Sequence, residues 1–455
     1  MREELLETLD TASWRPVHTR ITLALGVAWL LDAFEVSIIG SVLPTIAQQW
    51  DLSGLQGTSL IAVWLVGIMA GAQGAGVLAD RFGRRRLFLV TLTFYATFTL
   101  LSAFSVDYPM LMVLRFLTAL GVGAEYSAIN AAISEFIPAR YRGRANAAVM
   151  SFWGAGALVA AGVGAVVLAA LPAGVGWRVG FAAGAVMALV ALLARRTLPE
   201  SPRWLLRRGE TGKAGEIVER ITGVRISAPD RGVTSGEFRA SVGELLRRVP
   251  GRTALGAVLD FSEASGYYGL FAFFAVLVTA ASGIPASRVP AYFAGGSAGA
   301  LAGGVLAAAV MDRFPRATTV TSAYVLAAAS LGVLGLAAAA GGPEAVMWAF
   351  FLANGTATAA WVSAYPTFTE LFPTPLRSTG VGFSVSVGRV GAALSSMGLA
   401  AVASAFSLTA AFGLLAGFWL LGAAGMYVWS RSGGPEGCRM PLERLEPEIY
   451  ERRAG

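Results

Sequence analysis

The chain contains about twelve separate apolar stretches, each near the roughly 20 residues that a helix needs to cross a hydrocarbon layer of about 30 Å. They run near 20–46, 57–79, 87–105, 109–134, 145–171, 178–194, 253–281, 290–311, 317–340, 344–366, 379–403 and 407–429. Hydrocarbon offers no partner for backbone N–H and C=O groups, so stretches of this length read as helices. Composition agrees. Over 455 residues, 55% are hydrophobic and only 14% charged, and mean hydropathy is +0.63. A disordered chain, a collagen and a small disulfide scaffold are excluded. The expected fold class is an all-α polytopic membrane protein.

Charge in the connecting loops sets the expected orientation. Arg81, Arg84, Arg85 and Arg86 follow the second stretch, Arg140, Arg142 and Arg144 the fourth, Arg313 and Arg316 the eighth, and Arg377 the tenth. The opposite loops hold little: Asp51, Asp107, Arg288 and Glu344. The positive-inside rule then places both termini in the cytoplasm of a multi-pass cell-membrane protein. The expected parts are a cytoplasmic N-terminus (1–19), a six-helix bundle (20–194), a cytoplasmic linker (195–252), a second six-helix bundle (253–429) and a cytoplasmic tail (430–455). The linker mixes both charge signs and reads as helical. Met1 to Arg15 is polar, with Glu3, Glu4, Glu7 and Asp10, unlike a cleavable signal peptide.

Three echoes recur in the same order. Leu31-Asp32-Ala33-Phe34-Glu35 matches Leu259-Asp260-Phe261-Ser262-Glu263. "GVLADRFGRRR" (76–86) matches "AAVMDRFPR" (308–316), and "EFIPARYRG" (135–143) matches "ELFPTPLRS" (370–378). Such duplication is common in secondary transporters.

These motifs resemble the major facilitator superfamily over nearly the whole chain. The 76–86 stretch resembles the family's loop 2–3 signature. Arg115 to Gly123 is similar to its fourth-helix motif, with Ala119 where glycine is common. Pro199-Glu200-Ser201-Pro202-Arg203-Trp204-Leu205 resembles the sugar-porter and organic-ion branches. Glu370 to Arg377, continuing to Gly388-Arg389, resembles the aromatic-acid, nicotinate and organic-ion carriers. In the second-half loop, Pro315 stands where the family has glycine. The resemblance implies twelve helices in two pseudo-symmetric six-helix bundles around a central cavity. Helices one, four, seven and ten line it, two, five, eight and eleven flank it, and three, six, nine and twelve face lipid. The charges fit: no charged residue falls within 87–104, 180–194, 318–340 or 407–428.

The minor residues narrow the chemistry. His18, the one histidine, precedes the first stretch, and Cys438, the one cysteine, lies in the tail. Any proton carrier within the membrane must then be a carboxylate, and no metal or cofactor is expected. The net charge of +7 is nearly all arginine, Lys213 being the only lysine; nucleic acid is a poor partner for so apolar a chain. Asp32 and Glu35 share one face of the first helix near the midplane. Asp260 and Glu263 repeat them in the seventh, and Glu125 lies in the fourth. A carboxylate at the bilayer centre costs roughly 2.5–3.5 kcal/mol, so five are candidates for proton coupling, or alternatively for structural pairing. Arg115 gains a coupling role from the resemblance, with a bond to a backbone carbonyl as the alternative.

Substrate-binding candidates are Arg389, Glu125, Tyr126, Asn130, Trp153, Tyr267, Tyr268, Asn354, Trp361 and Tyr365. Arg389 presents a planar fork suited to a carboxylate, or a bridge to Asp260 or Glu263. By resemblance, Asp80, Arg84, Glu135, Arg142, Glu200, Arg203, Glu370 and Arg377 form the cytoplasmic gate. The remaining loop arginines, Arg85 and Arg86 in particular, read as a solvated face.

The function expected is proton-coupled transport of a small organic ion, an aromatic or nicotinate-like anion first, by a monomeric symporter. An organic cation or drug comes second, since acids outnumber Arg115 and Arg389. A neutral sugar is third and a transporter-like receptor remote. No nucleotide loop or nucleophile–base pair suggests an enzyme.

Overall fold

The computed structural model describes residues 2–52, 54–196, 198–226, 241–274, 278, 282–284, 289–340 and 342–445. Among them there is no strand, and twelve helices have 19 residues or more. In chain order these are α1 (Pro16–Gln49), α2 (Gly54–Phe82), α3 (Arg84–Ser102), α4 (Tyr108–Phe136), α5 (Arg142–Ala170) and α6 (Ala173–Arg195). The second set is α7 (Pro250–Phe273), α8 (Val289–Val310), α9 (Arg316–Ala340), α10 (Pro343–Leu371), α11 (Arg377–Ala405) and α12 (Leu408–Arg431). Among the described residues, seven stretches are long and apolar enough on their own to cross a membrane.

Local chemistry sets the helix ends. Asp107 accepts the Met110 amide at 2.8 Å and Ser407 the Ala410 amide at 3.0 Å, capping α4 and α12. Proline opens α1, α4, α7 and α10, where its missing N–H costs nothing. The lone histidine also serves a helix end, since His18 Nδ1 accepts the Arg15 amide at 2.9 Å at the start of α1.

Each set packs by one scheme. In the first, α1 lies on α5 and α6, α4 on α2 and α3, and α3 on α6. Adding six to each number gives the second set's contacts: α7 on α11 and α12, α10 on α8 and α9, and α9 on α12. Glycine permits the close crossings. A Cβ on Gly71 (α2) would run into the Leu120 carbonyl of α4, and one on Gly303 (α8) into the Gly355 carbonyl of α10. The two sets meet chiefly through α2 on α11 and α5 on α8, as a two-fold relation requires.

Three short helices, Pro202–Arg207, Thr211–Thr222 and Val242–Arg248, lie between the sets. The N-terminal helix Arg2–Thr11 buries Leu5 and Leu6 against Trp204, Leu205, Leu206, Ala214 and Val218. The N-terminus and linker therefore form one apolar cluster beside the bundles.

Candidate functional site

Among the described residues, eight charged side chains are buried within the long helices away from the network near the termini: Asp32, Glu35, Arg115, Glu125, Arg195, Asp260, Glu263 and Arg389. In the first bundle, Glu35 of α1 faces α4. Arg115 Nη1 lies 3.1 Å from its Oε2, and Nη2 donates to the Glu35 backbone carbonyl at 3.1 Å. The backbone-carbonyl bond, the structural alternative for Arg115, is thus present beside an ion pair with the same residue's carboxylate. Its guanidinium also covers the Trp64 ring at 4.1 Å and the Phe181 ring at 4.9 Å.

Glu125 is met by a residue that sequence reasoning missed. Arg195 Nη1 lies 2.5 Å from Glu125 Oε1, and Thr91 donates to the same oxygen at 3.2 Å. Arg195 falls one residue beyond the sixth apolar stretch and reads as the start of the linker. The structure corrects this: α6 runs through it, and its side chain is fully buried against the Phe88 ring. Its neighbour Arg196 is exposed. Asp32, one turn before Glu35, lies instead among Glu125, Arg195 and Tyr95. Among the described residues neither of its carboxylate oxygens is at full hydrogen-bond distance from a partner, the Tyr95 hydroxyl being the polar group beside them.

The second bundle repeats the theme with fewer charges. Asp260 and Glu263 of α7 both feel Arg389 of α11. The Asp260 carboxylate lies against the backbone at Gly388, where a Cβ would strike it. Arg389 also faces the Tyr268 ring, with 5.1 Å to its centroid.

Aromatic rings from both bundles pack together beside the second bundle's charges. Trp153 (α5) lies 5.1 Å from Trp361 (α10), which lies 5.3 Å from Tyr267 (α7) and 5.9 Å from Tyr365. Tyr268 adjoins Tyr267 at 5.9 Å. Trp29 of α1, absent from the sequence candidates, touches Trp153, Trp361 and Tyr365 at 5.9, 6.0 and 6.1 Å. Asn354, two turns before Trp361, is fully buried, and among the described residues neither amide atom meets a hydrogen-bond partner. The side chains of Tyr126 and Asn130 lie outside the described residues.

Nearer the termini a second network joins the bundles. Arg377 Nη1 lies 3.5 Å from Glu135 Oε1, and the Arg144 amide donates to Asp312 Oδ2 at 2.8 Å. Asp312 belongs to the loop that carries Pro315, so the missing glycine does not prevent a cross-bundle contact. Asp10 of the N-terminal helix pairs with Arg142 at 2.9 Å and Arg203 at 2.5 Å. Arg203 donates to the Glu135 carbonyl at 3.0 Å. Glu370 pairs with Arg316 at 2.9 Å. Glu200 accepts the Ser201 amide at 2.9 Å and the Arg85 amide at 3.4 Å. Asp10, Asp312 and Arg316 were not among the gate candidates. Arg316, read as a solvated loop arginine, is buried, whereas Arg85 and Arg86 are exposed. The side chains of Asp80 and Arg84 lie outside the described residues.

Two bundles related by a six-helix shift, each with charges buried inside it, are the plan of a transporter family, and that family's profile, Major Facilitator Superfamily, matches residues 25–396. The chain belongs to the Major Facilitator Superfamily. It is a multi-pass membrane protein and a transporter, not an enzyme. It is 28% identical over 395 residues to the niacin transporter NiaP of Acinetobacter baylyi, covering 85% of this chain and 88% of that one. It is 30% identical over 399 residues to the 4-hydroxybenzoate transporter PcaK of Pseudomonas putida, covering 82% and 84%. Among solved structures, the proton:xylose symporter XylE bound to 6-bromo-6-deoxy-D-glucose superposes with a TM-score of 0.81 at 20% identity, covering 94% of this chain and 98% of that one. Within this superfamily fold, Glu35–Arg115 and Glu125–Arg195 pair helices inside one bundle, whereas Glu135–Arg377 and Arg144–Asp312 tie one bundle to the other.

Proposed function

We propose that this transporter moves a small aromatic organic anion, of the nicotinate or hydroxybenzoate kind, together with protons by alternating access. One observation carries the substrate class: a buried arginine, Arg389, faces Tyr268 beside an aromatic cluster drawn from both bundles. A guanidinium can take a carboxylate through two parallel N–H bonds, and the rings supply faces for an aromatic body. Trp29, Trp153, Tyr267, Trp361 and Tyr365 form that surface, and Asn354 offers a donor and an acceptor for a ring nitrogen or hydroxyl. Niacin and 4-hydroxybenzoate, named for two relatives, both join a carboxylate to an aromatic ring.

Proton coupling is assigned to the buried carboxylates. Asp32 is the leading acceptor, because Glu35 and Glu125 each have an arginine. Asp260 and Glu263 share Arg389 with the substrate. A carboxylate anion moving with one proton carries no net charge, so the pH gradient drives that step; each further proton carried adds roughly 2.3 kcal/mol per 100 mV of membrane potential, about fiftyfold in gradient. The paired network of Glu135 with Arg377 and Asp312 with Arg144 is the gate in its closed state. Its side of the molecule, with both termini and the 195–252 linker, is the cytoplasm of a monomer in the inner membrane.

The test is uptake into proteoliposomes under an imposed pH gradient, run with nicotinate, 4-hydroxybenzoate, an organic cation and xylose. Accumulation of an aromatic acid that rises with external acidification supports the reading. A specific observation favours an organic cation as second reading: five intramembrane acids face three arginines. Transport of the cation alone would decide for it.

A further inference from the structure

Charge counting in the first bundle leaves one acid over. Glu35 is matched by Arg115, and Glu125 by Arg195. Asp32 is fully buried; among the described residues neither of its oxygens is at full hydrogen-bond distance from a partner, and the Tyr95 hydroxyl is the polar group beside it. The groups facing it are Glu35 from its own helix, Tyr95 from α3, Glu125 from α4 and Arg195 from α6. Arg195 has its Phe88 side closed by a ring and its Glu125 side closed by the 2.5 Å bond. Asp32, Glu125 and Arg195 together carry one net negative charge when all are ionised, and one proton makes the cluster neutral. Without Arg195 the same two acids would require two protons, because an uncompensated buried charge is too costly to keep.

We infer that Arg195 is a positioning residue for the proton site: by neutralising Glu125 it leaves Asp32 as the single proton acceptor of the first bundle. This rests on the proton-coupled reading above and extends it to a residue at the end of α6. The step balances simply. A proton from water on the far side from the termini adds to a carboxylate oxygen of Asp32. It leaves from that oxygen to water on the terminal side after the bundles have rocked. Arg195 keeps its own protons throughout.

The experiment uses the full-length protein purified in detergent, with melting temperature followed from pH 5 to pH 8. Arg195→Gln is expected to melt below wild type at pH 8, with the deficit shrinking towards pH 5 as the second acid takes up a proton. Adding Glu125→Gln removes the stranded charge and should recover most of the loss at every pH. Arg195→Lys, which restores the charge, should also recover it. A deficit equal at all pH values, or a double variant no better than the single one, would show that Arg195 acts through packing and overturn the inference. In proteoliposomes, nicotinate uptake by Arg195→Gln should fall most at pH 7.5 and recover at pH 5.5; an equal fall at both again overturns it. Wild-type uptake indifferent to the pH gradient would instead remove the proton-coupled reading, and the melting profiles would still judge the Arg195 pairing.

Discussion

A guanidinium buried inside a bundle must find acceptors for its five N–H groups or strand a charge at a cost of several kcal/mol. Arg115 and Arg195 each have a carboxylate oxygen within 3.1 Å. Arg389 shares its field with Asp260 and Glu263 and keeps a ring beside it, an arrangement into which a substrate carboxylate can enter. Removing a charged hydrogen-bond partner costs about 1.5–3 kcal/mol, so Arg389→Ala should weaken nicotinate binding by roughly 10- to 150-fold. Arg389→Lys should fall between, because an ammonium lacks the planar fork. Thermal-shift titration of the purified variants measures this, and a change under twofold would exclude substrate contact. The sequence announces Arg389 because a lone arginine in an apolar stretch has no ordinary reason to be there. Arg195 is hidden because it stands next to Arg196 at a stretch end, where loop charge is expected. Only the helical rotation between the two turns one inward and the other out. Trp29 is hidden for another reason: an aromatic in an apolar helix carries no mark of which bundle it will touch.

The twelve helices are legible because hydrocarbon thickness imposes their length. Their ends are not. The first apolar stretch begins near residue 20, but α1 starts at Pro16, capped by His18 in a polar turn. Helix contacts are only partly legible. The Gly295–Ala309 stretch suggests close packing, but small residues alone do not say which ones touch. Gly303 meets the Gly355 carbonyl, whereas Gly332 of α9 has open space beside it. The two should therefore respond oppositely to the same change. Gly303→Ala must push α8 away from α10 and should cost about 1–3 kcal/mol, lowering the melting temperature. Gly332→Ala should be neutral or stabilising by up to about 1 kcal/mol, through lower entropy in the unfolded chain. Parallel losses in both would mean that these glycines serve some other need.

Alternating access requires that contacts between bundles break on one side while contacts within each bundle persist. The duplicated loops mark the seam proposed as the gate, and Glu135 and Arg377, both candidates from the sequence, meet there. Its partners come from far along the chain and are not legible. Asp10 reaches Arg142 and Arg203, and the C-terminal tail crosses the seam. There Arg142 of α5 donates to the Met440 carbonyl at 3.2 Å, and Glu436 accepts the Arg316 amide of α9 at 2.8 Å. The tail thus holds one bundle by Met440 and the other by Glu436. Cys438 sits between them, donating to the Phe314 carbonyl at 3.2 Å. Burial pushes its thiol above the usual range, so little thiolate is present near neutral pH while the tail is seated. Rocking of the bundles must release one anchor or the other, exposing the thiol and relieving that shift. Because Cys438 is the only cysteine, maleimide labelling of the unmodified protein reports this event without engineering. Labelling at pH 7 should be slow in the closed state and several-fold faster in Glu135→Gln, which removes the charge that Arg377 meets across the seam. Raising the pH should speed labelling in both, and the difference between them should narrow as the seated thiol ionises. Equal rates in the two proteins at pH 7 would show that the tail rides on one bundle alone and takes no part in the gate.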